Sequence, residues 1–442
     1  MTHTVAATTM HQTPRHAQIA MVMVYLLGMA VFTSVAFTNI AVLGLVLLAP
    51  FAWRDFLKAK QVIEPDAKLY LGLVLALCVW DACTNMLAGF GLGAALKELL
   101  HDLRTLGFVV VLWAVFVNPR VARVAFWAVC VTVLVLASIN LLMTLFGLQA
   151  QGQYFTTGYL RMSYMSHMYG QALVGFVFVL AQMWLVRPSL SWRVGFSIAL
   201  LVLSLFLASE RRTGYVLLLA GFGLWVLLNA KRFYVGKYKW WLLLIALAVV
   251  IGAASSGIVH SRMALALTEV NEYLAMSPQE RVSAVGAVRI RMQYVSTVIE
   301  VIKQSNWWIG IGSLDFPAAY QAAAINMGLE PGTYAWSKYN WSNPHNEYLF
   351  MLATKGVVGL ALYLAIFVQA CRVAWGKTDE VQRIGLVMFV FLFMLSITTN
   401  SMMIDMEEGH FTLLILLVFL APKSLSLTCA KSPIVQKEKV AL

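Results

Sequence analysis

Charged residues are scarce in this sequence, and their scarcity argues against a soluble globular protein. Asp, Glu, Lys and Arg together make up 12% of the 442 residues, which is about half the fraction usual in soluble domains. Hydrophobic residues make up 61%, and the mean hydropathy is +0.78. The composition predicts a protein that crosses a membrane several times.

Cysteine patterns, metal-binding motifs and internal repeats are also lacking. The five cysteines are odd in number and lie mostly in apolar runs, so they predict neither a disulfide framework nor a zinc site. No Glu-x-x-His or Asp-rich array surrounds a histidine, and we therefore expect no metal and no other cofactor. Repeated halves are not visible, which disfavours a transporter. The first apolar run lacks a small-residue cleavage site, so we expect no cleaved signal peptide.

What the sequence does contain is a series of apolar runs. A helix needs about 20 residues to cross a bilayer core of about 30 Å, and about twelve runs approach that length, several of them short. We expect an all-α membrane protein with about 12 transmembrane helices: nine within residues 1–259, an outer loop domain over 260–344, three more helices within 345–421, and a tail over 422–442. The runs lie near 19–33, 37–52, 69–88, 105–117, 121–147, 169–186, 194–209, 214–229, 240–259, 346–371, 384–402 and 409–421.

Basic residues give the chain its formal net charge of +12, and their positions indicate topology. If the N-terminus is placed in the cytoplasm, every loop that then lies in the cytoplasm contains basic residues. The positive-inside rule then puts both termini in the cytoplasm and the large loop outside. We expect attraction to anionic membrane lipids as a secondary effect and no nucleic-acid partner.

The outer loop is the longest polar stretch of the chain. Residues 262–276 and 282–304 read as helices, separated by a helix start at Ser277-Pro278-Gln279-Glu280. Trp307 and Trp308 follow, and residues 326–344 are rich in Gly, Pro, Ser and Asn. An irregular stretch of that length usually forms a lid or a binding surface.

Two adjacent arginines, Arg211 and Arg212, lie in a charged break between two apolar runs on the predicted outer side. Charges at span ends are costly and are functional hypotheses by default. A diphosphate would balance them, because a guanidinium presents a planar fork of donors to phosphate oxygens. Arg212 is the first choice. The alternative is an ordinary turn in which Glu210 neutralises one arginine.

A second pair of arginines, Arg289 and Arg291, lies on one helix of the outer loop. At 100° per residue, Arg289 falls on a face with Gln293 and Glu300 that looks solvated, whereas Arg291 falls in the middle of the apolar stripe. A guanidinium in that stripe needs a partner. Ligand binding and snorkelling toward lipid headgroups are equally good readings of Arg291 from this pattern alone.

A histidine, His345, stands where the outer loop meets the next apolar run. A neutral imidazole is the side chain best suited to accept a proton near neutral pH. The alternative is a satisfied residue at the membrane interface. Among the other histidines, only His167, which has Arg161 nearby in the sequence, has a comparable setting.

The sequence around His345 resembles a known family. The pattern His-Asn-x-Tyr-Leu from His345, followed by Lys355-Gly356 and Gly359, resembles the hallmark of the bacterial O-antigen ligase and polymerase superfamily, and within it the ligases. Four further features agree with this resemblance: about twelve spans, a large loop before the histidine, an Arg-Thr-Gly at an earlier span end and an arginine ahead of a Gly-x-Gly. One departure concerns the loop arginine: family members commonly carry an aromatic residue four positions later, where this chain has Val295 after Arg291.

The resemblance implies a metal-independent glycosyltransferase with a GT-C-like membrane fold in the bacterial inner membrane. It would move a glycan from undecaprenyl diphosphate to a sugar hydroxyl of lipid A-core on the periplasmic side, with inversion. His345 would be the general base, and Arg212 and Arg291 would neutralise the diphosphate. Further substrate contacts would come from Arg211, Arg289, Arg161, Asn346, Tyr348, Trp336 and Tyr339.

Two other functions stay open at this point. An O-antigen polymerase would use the same donor chemistry with a lipid-linked glycan as acceptor, although one dominant outer loop favours a ligase. A flippase for lipid-linked glycans or a solute transporter belongs to a different class. Transporters place charged groups at mid-membrane, whereas the candidate charges here lie at outer span ends.

Overall fold

The structure is a computed structural model, and every element within its described residues is helical, as expected. It describes residues 14–59, 65–103, 108–146, 167–187, 191–208, 212–235, 257–277, 280–281, 287–329, 331, 343–377, 379–398 and 414–416. The helices are α1 (Arg15–Ala30), α2 (Val35–Ala59), α3 (Pro65–Leu87), α4 (Leu92–Asp102), α5 (Phe108–Phe116), α6 (Pro119–Leu145), α7 (His167–Val186), α8 (Ser191–Leu203) with a π-helical turn Ser204–Ala208, α9 (Arg212–Leu228), α10 (Ala230–Val235), α11 (Gly257–Ala275), α12 (Ala287–Gln304), α13 (Phe316–Asn326), α14 (Glu347–Trp375) and α15 (Glu380–Ser396).

Four described helices are long and apolar enough to cross a membrane: their spans are Ala36–Trp53, Lys68–Leu87, Pro119–Leu145 and Glu347–Trp375. Shorter apolar helices add to them over Gly170–Val186, Trp192–Phe206 and Gly214–Leu228. The protein is thus an all-helical, multi-pass membrane protein. The number of twelve stays a prediction, as do the orientation of the termini and the GT-C-like fold.

The outer surface of the bundle is apolar, as a lipid-facing surface must be. Along α2, one stripe of large side chains is well exposed, while Leu45 and Ala49 on the opposite face are buried against neighbouring helices. Contiguous exposed apolar surface of this extent marks contact with lipid or with another protein. The stripe consists of Phe37, Ile40, Leu43, Leu47 and Phe51.

The helices α3 and α14 lie side by side with extensive contact, and α14 also packs against α15. Elsewhere in the bundle, α1 packs against both α2 and α6, and α7 packs against α9 and α15. The buried hydrophobic residues form a continuous cluster through all of these helices. This core fixes α14, and α14 presents His345 at its beginning.

A shorter helix, α4, lies between α3 and the apolar helix α5 and packs against α3. Leu92, Leu96 and Leu100 of α4 are exposed, whereas Leu99 packs against the hydrophobic core and the last residue, Asp102, is buried. The helix α5 falls within the apolar run predicted over 105–117.

The two helices predicted in the outer loop are present as α11 and α12. The helix start expected at Ser277 is a reciprocal capping box. The backbone N–H of Ser277 donates to Glu280 Oε2 at 2.8 Å, and the N–H of Glu280 donates to Ser277 Oγ at 3.3 Å. A further helix, α13, lies in the same loop and was not predicted.

Candidate active site

His345 lies immediately before α14 in an unusual backbone conformation. Its φ is +53°, and it is the only non-glycine residue with positive φ among those the structure describes. This region is uncommon for residues other than glycine, although histidine is among the types enriched there. The N–H of His345 donates to Oδ1 of the buried Asn343 at 2.8 Å. A local turn therefore sets the direction in which the imidazole leaves the backbone.

The next residue, Asn346, caps the helix that His345 precedes. Its side chain accepts a hydrogen bond from the N–H of Leu349 at 3.0 Å, the usual role of an N-cap residue. Its amide nitrogen donates to the carbonyl of Thr398 at 3.2 Å, just beyond α15. Asn346 thus joins the start of α14 to the end of α15.

Tyr348 makes a second connection to α15. Its hydroxyl donates to the carbonyl of Met394 at 2.6 Å, and close by the N–H of Glu347 donates to the carbonyl of Ile397 at 3.0 Å. In this structure, the Asn and Tyr of the His-Asn-x-Tyr-Leu motif bind the protein itself. Their predicted contact with substrate stays a prediction.

The imidazole of His345 is stacked on the ring of Tyr294 from α12. The ring centroids are 5.4 Å apart and the planes differ by 27°. Tyr294 is 4% exposed, and its carbonyl accepts a hydrogen bond from the hydroxyl of Tyr320 at 3.4 Å. Sequence reasoning missed Tyr294, although its position three residues after Arg291 puts both on one face of the helix.

Of the two candidate arginines in the loop, Arg291 is the one whose charge affects the pKa of His345. Burial of the imidazole, and then the positive charge of Arg291, lower the pKa of His345 below its usual value. A neutral imidazole at neutral pH is the form that can accept a proton. The helical-wheel preference for Arg291 agrees with this arrangement.

Arg289 faces a different neighbour. Its guanidinium forms an ion pair with Glu272 of α11, and the adjacent N–H of Val288 donates to Glu269 Oε2 at 2.7 Å. Gln293 on the same face is 2% exposed. The first part of this face packs against α11, whereas its end, with Glu300 and Lys303, is open to solvent as the sequence pattern suggested.

The other predicted site residues are less fully described. Arg212 is the first residue of α9, and its side chain lies outside the described residues. Arg211, Arg161, Trp336 and Tyr339 lie outside the described residues altogether. Their predicted contacts with the diphosphate and the sugars stay predictions.

A group of buried charges lies further along α14. Lys355, which is 1% exposed, forms an ion pair with Asp81 of α3 and lies 3.5 Å from Asp102 of α4, measured from Nζ to Oδ2. Buried charges persist only when they are paired and hydrogen-bonded. The sequence carried a signal for this cluster, because Asp81 and Lys355 fall inside predicted apolar spans.

Directly after Lys355, α14 is interrupted at Gly356, which has φ +66°. A turn of the outer loop fills the interruption, and we call residues 307–312 together with 353–358 the loop–helix junction. A Cβ on Gly356 would lie 2.2 Å from the carbonyl oxygen of Trp308, so only glycine fits. The turn and α14 are joined by hydrogen bonds from Val357 N to Trp307 O, Ile311 N to Ala353 O and Gly312 N to Thr354 O, between 2.9 and 3.0 Å.

The structure also brings together three side chains of types that bind metals, Glu98, His101 and Asp102 of α4. His101 Nδ1 lies 3.8 Å from Glu98 Oε1 and 3.9 Å from Asp102 Oδ1, and the ammonium of Lys355 lies 3.5 Å from Asp102 Oδ2. That ammonium opposes a second cation. The expectation of no metal stays a prediction.

The fold and the site define a multi-pass membrane protein that presents a histidine and an arginine together where the loop helix α12 meets the membrane helix α14. Residues 196–364 match the family model described as O-antigen ligase. This segment, which runs from α8 into α14 and contains Arg212, Arg291 and His345, is similar to that family, which covers O-antigen ligases and polymerases. No curated protein matches the chain.

Proposed function

We propose that this protein is an O-antigen ligase that transfers a glycan from undecaprenyl diphosphate to a sugar hydroxyl of lipid A-core. The observation that carries the proposal is the contact of His345 with one face of α12, which carries both Tyr294, stacked on its ring, and Arg291, whose charge acts on it. A general base and a cation for a leaving diphosphate are the two groups that glycosyl transfer without a metal requires.

In the proposed reaction, His345 accepts the proton of the acceptor hydroxyl while that oxygen attacks the anomeric carbon of the donor sugar. The bond from this carbon to the diphosphate oxygen breaks, and the electron pair leaves with undecaprenyl diphosphate. Arg291 and Arg212 balance the charge that develops on the diphosphate. Direct displacement inverts the configuration of the anomeric carbon.

The lowered pKa of His345 supports the role of base, since an imidazole that stays neutral is ready to accept a proton. The same guanidinium that lowers the pKa carries the charge that a diphosphate needs. Arg289 is a weaker candidate for the donor, because its guanidinium already pairs with Glu272. The active site would lie on the periplasmic face of the inner membrane, with both termini in the cytoplasm.

The test uses the full-length protein in lipid nanodiscs, supplied with undecaprenyl-diphosphate-linked O-antigen and lipid A-core. We expect glycosylated lipid A-core and free undecaprenyl diphosphate in equal amounts, without added metal, and with an inverted anomeric configuration by NMR. Transport of the donor across vesicles without glycosyl transfer would instead indicate a flippase.

The same assay separates a ligase from a polymerase. A ligase forms no product when lipid A-core is omitted, whereas a polymerase lengthens the lipid-linked glycan alone. Loss of the gene gives a second criterion. Without a ligase the cell accumulates long lipid-linked polymer, and without a polymerase single repeat units remain on the core.

A further inference from the structure

Two of the proposed catalytic groups lie on different helices, Arg291 on α12 and His345 at the start of α14. We propose that the loop–helix junction fixes the position of α12 along the axis of α14, and so holds Arg291 beside His345. The inference rests on the proposed function for its catalytic consequence, but its geometry and its first test do not depend on substrate.

Only two residues, Ser305 and Asn306, connect the end of α12 to the junction. The helix ends at Gln304, and the turn of the junction begins three residues later. The hydroxyl of Ser305 donates to Ile302 O at 2.8 Å. Asn306 then makes two hydrogen bonds within the turn. Its side-chain Oδ1 accepts the N–H of Trp308 at 2.9 Å, and its backbone carbonyl accepts the N–H of Gly310 at 2.8 Å.

On the side of α14, the junction is equally constrained. Gly310, with φ +73°, would place a Cβ 2.4 Å from the carbonyl carbon of Thr354, so two backbones meet at a distance that only glycine permits. The carbonyl of Lys355 accepts the indole N–H of Trp80 at 2.8 Å. The buried ion pair with Asp81 holds the same residue from its side chain.

The turn is also fixed to α3. The N–H of Leu314 donates to Asn85 Oδ1 at 3.0 Å, and Asn85 donates to the hydroxyl of Ser313 at 2.9 Å. That hydroxyl donates to Asp81 Oδ2 at 3.2 Å. Asp81 therefore contacts Lys355 of the junction and also Ser313, the residue that directly follows the turn.

Both helices run from the candidate site to the junction. At about 1.5 Å per residue, Arg291 lies about 20 Å from the end of α12, and His345 lies about 16 Å from Gly356. The helices are thus parallel and meet at both ends, once in the stacked rings of Tyr294 and His345 and once at the junction. A shift of α12 by one residue along α14 would separate both Tyr294 and Arg291 from the imidazole.

The decisive variant is Gly356→Ala, because its methyl group collides with the backbone of the turn. Its matched control is Gly328→Ala: Gly328 also has positive φ, at +97°, but a Cβ there meets nothing within 4 Å. The control also places a side chain at positive φ, but without disturbing the junction. Asn306→Ala is a milder second variant that loosens the turn without a collision.

The first measurement is the pKa of His345 by histidine-selective NMR on the full-length protein in nanodiscs, assigned with His345→Gln. Among the described charged groups, Arg291 faces the imidazole from α12, and Glu347 follows it on α14 with a buried side chain. Displacement of Arg291 removes the nearby positive charge. We expect the pKa of His345 to rise in Gly356→Ala, to rise less in Asn306→Ala, and to stay unchanged in Gly328→Ala.

The second measurement is steady-state glycosyl transfer. Misplacement of reacting groups by about 1 Å can cost about a hundredfold in rate, so we expect kcat to fall by about that factor in Gly356→Ala. We also expect KM for the donor to rise, because Arg291 is displaced from the diphosphate. A purely structural role would lower the amount of folded protein and leave both the pKa and kcat per folded molecule unchanged.

Two results would overturn the proposal. One is a folded Gly356→Ala protein with the native pKa of His345. The other is a Gly356→Ala protein that fails to fold together with an Asn306→Ala protein whose His345 is unchanged. If the native protein transfers no glycan, the proposed function fails, and the NMR comparison still decides whether the junction positions the two groups.

Discussion

The imidazole of His345 and the ring of Tyr294 lie face to face, with centroids 5.4 Å apart and 27° between their planes. Tyr294 is buried, and the backbone of His345 is held in a left-handed turn by Asn343. One face of the imidazole is therefore covered by protein. A base that is held in one orientation loses little conformational freedom when the acceptor binds, which favours proton transfer.

Replacement of His345 by Asn tests the base directly. Asn tolerates the left-handed backbone better than most residues, so this variant keeps the turn and removes the imidazole. Loss of a general base typically costs about 10²–10⁴ in rate, and we expect kcat to fall in that range while donor binding is retained. Near-normal transfer by a folded His345→Asn protein would refute the role of base.

Replacement of Tyr294 by Phe and by Leu separates stacking from the hydroxyl. Phe keeps the ring, so we expect kcat within a small factor of the native value. Leu removes a ring contact worth about 0.5–1.5 kcal/mol, and we expect kcat to fall by up to about tenfold because the imidazole gains freedom. Transfer assays on the two variants give the comparison, and equal kcat values for Leu and Phe would contradict it.

Parts of this site follow from sequence periodicity, and other parts do not. A helical wheel separates Arg291 from Arg289, because residues on one helix keep fixed angular positions. The same wheel puts Tyr294 beside Arg291, but it does not identify His345 as the partner of Tyr294, because that contact joins two helices. Long-range pairing depends on how the helices pack, and a single sequence carries no direct signal for it.

The His-Asn-x-Tyr-Leu motif shows the same limit of prediction from a single sequence. Asn346 and Tyr348 follow His345 in the pattern and were therefore assigned to substrate, yet in the structure both side chains contact the end of α15. The polar character of these residues was visible, but the direction of each side chain was not. The charge of Lys355 inside an apolar span signalled a buried partner, whereas the identity of that partner required the packing of α3 against α14.

The pH dependence of transfer distinguishes Arg291 from Arg289. The positive charge of Arg291 disfavours the imidazolium and lowers the pKa of His345, so the native enzyme keeps its base neutral to a lower pH. In Arg291→Gln the pKa rises, and we expect the acidic limb of the profile of kcat/KM against pH to move to higher pH. KM for the donor should rise as well, because a diphosphate contact is lost.

Arg289→Gln is the matched comparison on the same helix. Its guanidinium pairs with Glu272, so the variant should loosen α11 from α12 and lower the Tm, with the acidic limb in its native position. An unshifted limb in Arg291→Gln, or an equal shift in both variants, would remove the assignment of Arg291 as the neighbour of the base.

Variants of Asn346 and Tyr348 decide between a structural contact and a substrate contact. Loss of a helix cap costs about 0.5–2 kcal/mol, and loss of one hydrogen bond costs about 0.5–1.5 kcal/mol. We expect Asn346→Ala and Tyr348→Phe to lower the Tm and to leave KM for the donor unchanged. A raised KM at native Tm would instead support the substrate contact that the sequence suggested.

The buried charges of Lys355, Asp81 and Asp102 allow a prediction about stability. Replacing Lys355 by Met keeps much of its length but leaves Asp81 and Asp102 without the ammonium between them. Breaking a buried ion pair by removing one partner typically costs about 3–5 kcal/mol, because the remaining charge is buried without compensation. We expect Lys355→Met to lower the unfolding midpoint strongly, as followed by thermal unfolding of the protein in detergent.

Lys303 provides the control, since it pairs with Glu300 at 3.2 Å on the exposed surface of α12. Water screens such a pair, so Lys303→Met should leave the midpoint nearly unchanged. The double variant Lys355→Met with Asp81→Asn removes one of the two uncompensated charges and should recover part of the loss. If Lys355→Met and Lys303→Met unfold at the same midpoint, the buried ion pair contributes nothing measurable to holding α3, α4 and α14 together.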